Sequence, residues 1–186
     1  MGQYYMPVLR DENGNFCAFY SHTYGNGLKL MEHSYIGNNF VNAVCNQIYK
    51  KPHNVCWFGD YVENEEILQL SWIDTKEDAE RFYKDVWNDK VPYIEPTCDN
   101  ECFNWHTDNY LINHTKKICL LMPKDSDEDF IVHPLPLLTA ISNGRGGGDY
   151  RGDFDKVGEW WGDLIEIANE PPKNYELMEH KEEIAY

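Results

Sequence analysis

Apolar residues in the first third of the chain fall in short runs and then change period, and the change marks out the elements. "QYYMPVLR" and "FCAFYSH" are two such runs, separated by "DENGN". An Asn-Gly pair between apolar runs is a strong turn signal, so this stretch predicts a hairpin. "TYGNG" predicts a second turn, leading into the short run "LKLMEHS". In "NNFVNAVCNQIYKK" the period becomes helical. Phe40, Val41, Val44, Cys45 and Ile48 recur on one face, and Asn38 or Asn39 is suited to cap it. Pro52 closes that helix, and "NVCWFGDYV" predicts a strand.

"DTKEDAERFYKDVWNDK" predicts a second helix. Thr75 precedes Asp78 by three residues, a capping-box-like spacing, and Ala79, Phe82, Tyr83, Val86 and Trp87 form one apolar face. Pro92 and Pro96 end it and open an irregular segment through Trp105. "NYLINHTKKICLLMP" predicts another hairpin with its bend at "NHTK". "FIVHPLPLLTAIS" starts extended and continues as a short helix or turn. "GEWWGDLIEIANE" then predicts a strand, and "PPKNYELMEHKEEIAY" a polar C-terminal helix or tail.

The element order repeats. Each half runs hairpin, apolar helix, loop, strand, and Trp57-Phe58-Gly59-Asp60 aligns with Trp160-Trp161-Gly162-Asp163. The expectation is a single α+β domain, 1–186. Two similar hairpin–helix–strand halves, a pseudo-duplication, share one antiparallel sheet and are joined by a central helix. The first half-repeat covers 1–66, the linking helix and irregular segment 67–105, the second half-repeat 106–170, and the helix or tail 171–186. Trp57 and Trp160 are then expected at equivalent sites on related strands.

Charge sharpens this picture. Residues 1–58 hold Asp11, Glu12 and Glu32 against Arg10, Lys29, Lys50 and Lys51, a net of +1; the other 29 acids and 12 bases leave −17 in residues 59–186. Such an excess repels phosphates and disfavours binding to free nucleic acid, while favouring basic partners. Aromatics at 15% argue against disorder. No run of 18 apolar residues and no signal-peptide layout occurs, and Met6 stands where a myristoylation signal wants Ser or Thr, so a cytoplasmic protein with no membrane association is expected. The six cysteines (17, 45, 56, 98, 102, 119) sit mostly in apolar runs, as reduced buried thiols do.

Several stretches invite a chemical reading. "NGRGGGDYRG" (143–152) has the glycines of a phosphate cradle, with Arg145 and Arg151 to grip an anion. It follows a helix-like segment and precedes a strand, the reverse of the usual context, and reads better as an expanded surface connection. Gly146 to Gly148 are accordingly expected at the surface and dispensable for folding. Cys98, Cys102 and His106, with His114 further on, have a spacing open to zinc but lack a convincing fourth ligand, so no metal and no cofactor are expected. His33, His133 and Arg145 would have to converge across the two halves to make a hydrolytic site. No nucleophile elbow and no H-E-x-x-H occurs, and no residue is assigned a catalytic role in the leading reading.

The text "MGQYY", "NGLKLMEHS", "SNGRGGGDY" and "VGEWWGD" resembles a family of small uncharacterised proteins of Gram-positive bacteria, their phages and gut metagenomes. That resemblance implies no activity and carries over no catalytic residue. By analogy of type, a compact acidic protein of this kind looks like an anti-CRISPR inhibitor working in the cytoplasm of a bacterial host cell. Its partner would be a basic protein surface, such as a CRISPR effector nuclease or its guide-bound complex. The contact residues expected are Asp60, Glu63, Glu65 and Glu66 of "DYVENEE", Asp125, Asp127, Glu128 and Asp129 of "DSDEDF", and Arg145 and Asp149 of the glycine-rich loop. The alternatives are a small phosphodiester or nucleotide hydrolase using His133, Arg145 and Arg151, and a housekeeping protein of unknown partner.

Overall fold

A computed structural model describes residues 3–95, 104, 106–124, 131–141, 149–152 and 156–178. The first hairpin forms as its turn residues dictate. Strands β1 (Tyr5–Arg10) and β2 (Phe16–Ala18) pair antiparallel, Val8 opposite Ala18. Between them the Asp11 carboxylate accepts from the backbone N–H groups of Asn13 (2.9 Å) and Asn15 (2.8 Å), while Gly14 takes a left-handed φ of 84°. Beyond the hairpin the chain makes 3-10 turns at Ser21–Tyr24 and, within "LKLMEHS", at Leu30–Glu32.

Helix α1 (Asn39–Ile48) has the cap its sequence suggests: the Asn38 side chain accepts from the N–H groups of Phe40 and Val41. All five residues of its apolar stripe are buried. It ends four residues before Pro52, with Lys50 at φ 54° turning the chain into β3 (His53–Gly59). A one-turn helix, α2 (Asn64–Ile67), forms inside the acidic "DYVENEE" stretch because Ile67 reaches the core. The expected second helix follows as α3 (Lys76–Trp87), with the Thr75 hydroxyl accepting from Asp78 N–H and with Ala79, Phe82 and Val86 buried.

The second hairpin is β4 (Tyr110–Asn113) and β5 (Ile118–Leu121), turning through Lys117 at φ 58°. A short, wholly buried helix α4 (Pro134–Thr139) leads into β6 (Ala140–Ile141), and after the glycine-rich segment comes β7 (Leu164–Ala168). Residues Glu176–Met178, expected in a helix or tail, form β8 against β5. The polar Glu176 and exposed Leu177 gave no strand periodicity; an available sheet edge made the strand.

The sheet runs β2-β1-β3-β7-β4-β5-β8, with β6 beside β3. It is antiparallel except for β3–β6 and β5–β8, which are parallel, so the expectation of a purely antiparallel sheet is corrected. From β2 to β5 the order is palindromic about the β3–β7 contact, where His53 pairs with Ile165 and Asn54 with Leu164. One face packs Tyr5, Leu9, Val55, Trp57, Leu111, Ile165 and Ile167 against α1 and α4. The other face packs Met6, Val8, Cys56 and Phe58 under α2 and α3. Thus the central helix of the sequence lies over the first-half strands.

The Trp57–Trp160 alignment does not survive as drawn. Trp57 is inside β3, whereas Trp160 lies in the turn before β7. Gly59 closes a strand, but Gly162 has φ 72°, which strains any side chain, and a Cβ there would have to displace the buried Leu70 side chain. Two similar four-residue texts therefore fold differently, because one is read through a turn that requires glycine.

Candidate functional site

The acidic layer formed by α2 and α3 carries the carboxylates that the sequence singled out in "DYVENEE", and they divide into two pairs. Asp60 is spent on the fold. Its Oδ1 accepts from Tyr4 N–H at 3.0 Å, its carbonyl accepts from the Tyr83 hydroxyl at 2.8 Å, and burial raises its carboxyl pKa. Glu66 accepts from Glu63 N–H at 2.9 Å and so caps α2. Glu63 and Glu65 remain exposed. They stand across from Glu80, Tyr83 and Lys84 of α3, flanking a groove of about 460 Å³ whose apolar lining is Val62 and the Tyr83 ring.

Two exposed ion pairs edge this groove, Lys76–Glu65 at 3.6 Å and Lys84–Glu80 at 3.9 Å. Exposed pairs of this sort contribute about 0–1 kcal/mol each and exchange readily for a partner's cation. A lysine or arginine stem laid on Tyr83 and Val62 would bring its charged head to Glu63, Glu65 and Glu80. What the groove offers is recognition of cations.

Helix α3 has a second flank. Asp78, Arg81, Phe82 and Asp85 face the first hairpin across an open pocket of about 660 Å³. Its floor is aromatic, with Phe16 5.2 Å from Phe82 and 6.3 Å from Trp72, ring centre to ring centre. The Arg10 guanidinium lies over the Trp72 ring at 5.5 Å. Asp78 pairs with Arg81, and Asp85 with Lys90. The Thr75 hydroxyl, then Arg81, hold the Asp78 carboxyl below its ordinary range. The sequence assigned Phe82 to the helix face and gave Trp72 and Arg10 no role; the only trace of the pocket was the recurrence of Asp78, Phe82 and Asp85 on one side of a helix.

The remaining candidates lie elsewhere. Asp149 is half-buried and its Oδ1 accepts from Met31 N–H at 3.0 Å, so it anchors the end of the glycine-rich stretch to the 3-10 turn at Leu30–Glu32. Arg151 is exposed and donates to the Tyr150 carbonyl. His133 is fully buried. Its Nδ1 accepts from Leu135 N–H at 3.0 Å, which caps α4, and its Nε2 lies 3.5 Å from Cys45 Sγ. His33 is buried too, with Nδ1 donating to the Gly27 carbonyl and Nε2 accepting from the Trp57 indole. Burial depresses both, His33 to about 4 and His133 to about 3. Both are neutral hydrogen-bonding groups of the core, and Arg145, the third member of the hydrolytic alternative, lies outside the described residues.

His114, which the sequence offered only as a remote and unconvincing zinc candidate, is bound to Glu166 through Nε2 (2.7 Å) and to the Tyr175 hydroxyl through Nδ1 (2.9 Å), tying the approach to β8 onto the sheet. His106 is exposed, and among the described residues no group of three His, Cys, Asp or Glu side chains is placed to hold a metal. Cys98, Cys102, Asp125, Asp127, Glu128, Asp129, Arg145 and Gly146 to Gly148 lie outside the described residues. Among the described residues no helix is long and apolar enough to cross a membrane. Compared with protein-family models, curated proteins and solved structures, the chain matches none.

Proposed function

We propose that this chain is a binding protein that docks a basic protein surface on its α2–α3 face. We take its action to be inhibition of the anti-CRISPR type, in a bacterial cytoplasm, with a CRISPR effector nuclease as partner. One observation carries the reading: Glu63, Glu65 and Glu80 stand exposed around a groove with an apolar floor. Nucleases of that class hold their nucleic acid in basic channels, which an acidic face would compete for, and the net charge of −16 would speed the encounter.

The test is binding of purified CRISPR effector nucleases, with and without guide, at graded salt. Binding is expected to weaken as salt rises from about 0.05 to 0.3 M, because the Debye length shortens across that range. Reversing the groove by Glu63→Lys, Glu65→Lys and Glu80→Lys together is expected to lower affinity about tenfold or more, with the melting temperature nearly unchanged, since these are exposed charges. Absence of binding at low salt, or an unaffected triple variant, would remove the proposal.

We also read the sheet as two copies of one hairpin–helix–strand unit, in a register other than the tryptophan alignment. Three correspondences between pairings support this. Val8↔Cys56 corresponds to Ile112↔Glu166, and Val8↔Ala18 to Ile112↔Cys119. Beyond each helix, the Tyr49↔Ile167 bridge corresponds to Ala140↔Trp57, both parallel. In this register Trp57 matches Ile167, and α2–α3 has no counterpart among the described residues of the second half. Superposing the two halves in a crystal structure is expected to lay the Trp57 Cα on that of Ile167. Strands that diverge under that superposition would end the duplication reading.

A further inference from the structure

We propose that the pocket between the first hairpin and α3 is a receptor for an arginine side chain of a protein partner, and that Arg10 is its resident occupant, displaced when that arginine enters. The proposal rests on the acidic-face reading for the existence of a basic partner, but the pocket is testable without one.

Three observations converge on a guanidinium. The floor of Phe16, Trp72 and Phe82 offers ring faces to a planar group, and its volume of about 660 Å³ is ample for one side chain. Arg10 over Trp72 demonstrates that a guanidinium stacks there. At the rim, Asp78 and Asp85 are engaged with Arg81 and Lys90, whereas exposed Asp74 has no ion pair among the described residues. An entering cation therefore finds both a ring and a free carboxylate.

Arg10 itself has no carboxylate partner among the described residues; it rests on the Trp72 ring and beside the Gly14 turn, contacts that an entering arginine with a carboxylate partner outcompetes. The net charge of −16 decides the sign of the ligand, attracting a cation and repelling an anion. Arginine is favoured over lysine because its planar, weakly hydrated head stacks on aromatic rings and pairs with a carboxylate at once, while an ammonium is a compact, strongly hydrated charge.

The experiment compares hexa-arginine with hexa-lysine peptides, which carry equal charge, by fluorescence anisotropy and by the NMR signal of the Trp72 indole N–H. Hexa-arginine is expected to bind about fivefold tighter and to shift the Trp72 signal, which hexa-lysine leaves in place. Arg10→Ala is expected to raise hexa-arginine affinity about threefold with little change for hexa-lysine, Arg10→Lys to fall between, and Asp74→Asn to lower it about threefold. Equal affinity of the two peptides, or an Arg10→Ala variant with unchanged arginine preference, overturns the receptor and leaves the acidic-face reading standing. Failure of both peptides to bind at low salt overturns both.

Discussion

Replacing Trp57 by alanine is expected to cost about 3–5 kcal/mol for the lost indole, a large part of the 5–15 kcal/mol that holds a domain of this size together. Trp57 is fully buried at the centre of β3, with its ring edge-on to Phe40 at 6.1 Å. Its Nε1 donates to His33 Nε2 at 2.9 Å. Alanine removes that donor as well as the ring. Trp57→Phe separates the two losses. It keeps most of the apolar volume but leaves the His33 acceptor buried and unpaired, an expected cost of about 1–3 kcal/mol. Urea unfolding of both variants measures the difference. An alanine variant within about 1 kcal/mol of the parent would show that the β3 core is not organised around this residue.

Lowering the pH is expected to destabilise the protein well before its carboxylates titrate. His33 and His133 have ordinary values near 6.5 when unfolded, and burial depresses them to about 4 and about 3 in the fold. Each neutral ring already accepts a hydrogen bond at one nitrogen, from Trp57 and from Leu135 respectively. A second proton would set donor against donor in the core. Between pH 6.5 and 4 the unfolded chain therefore binds more protons than the folded one. Stability is full above 6.5 and falls as the pH falls, by about 2 kcal/mol per histidine at pH 5. Thermal or urea unfolding from pH 7.5 to 4.5 checks the slope. His133→Asn, which keeps an acceptor for Leu135 N–H but takes up no proton, is expected to halve it between pH 6.5 and 5 whatever its effect at pH 7. A flat profile in the parent would show that these rings are solvated.

The same two histidines have structural roles that the sequence did not show. A histidine near an Arg-Gly loop suggests a site, yet His133 became a buried helix cap because "HPLPLLT" buries every residue of α4. Asp149, read as a contact residue, also anchors Met31, 118 residues away. Hydrogen bonds of that reach leave no local pattern.

What the sequence determined by itself was local. The Asn38 and Thr75 caps, the stripes of α1 and α3, the Asn-Gly hairpin and β3 all follow from side chains competing for backbone groups within a few residues, or from apolar spacing that has one burial solution. The unequal charge of the two parts was legible too. Only the tertiary structure decided which carboxylates face the groove: Asp60 and Glu66 answer backbone donors, while Glu63 and the Lys76-paired Glu65 line it because α3 returns across α2. It alone placed Arg10 on Trp72, since that contact joins a strand end to a loop 62 residues later, and it alone turned "ELM" into an edge strand. Long-range pairing depends on which surfaces remain uncovered once the local elements have packed, and no window of neighbouring residues contains that information.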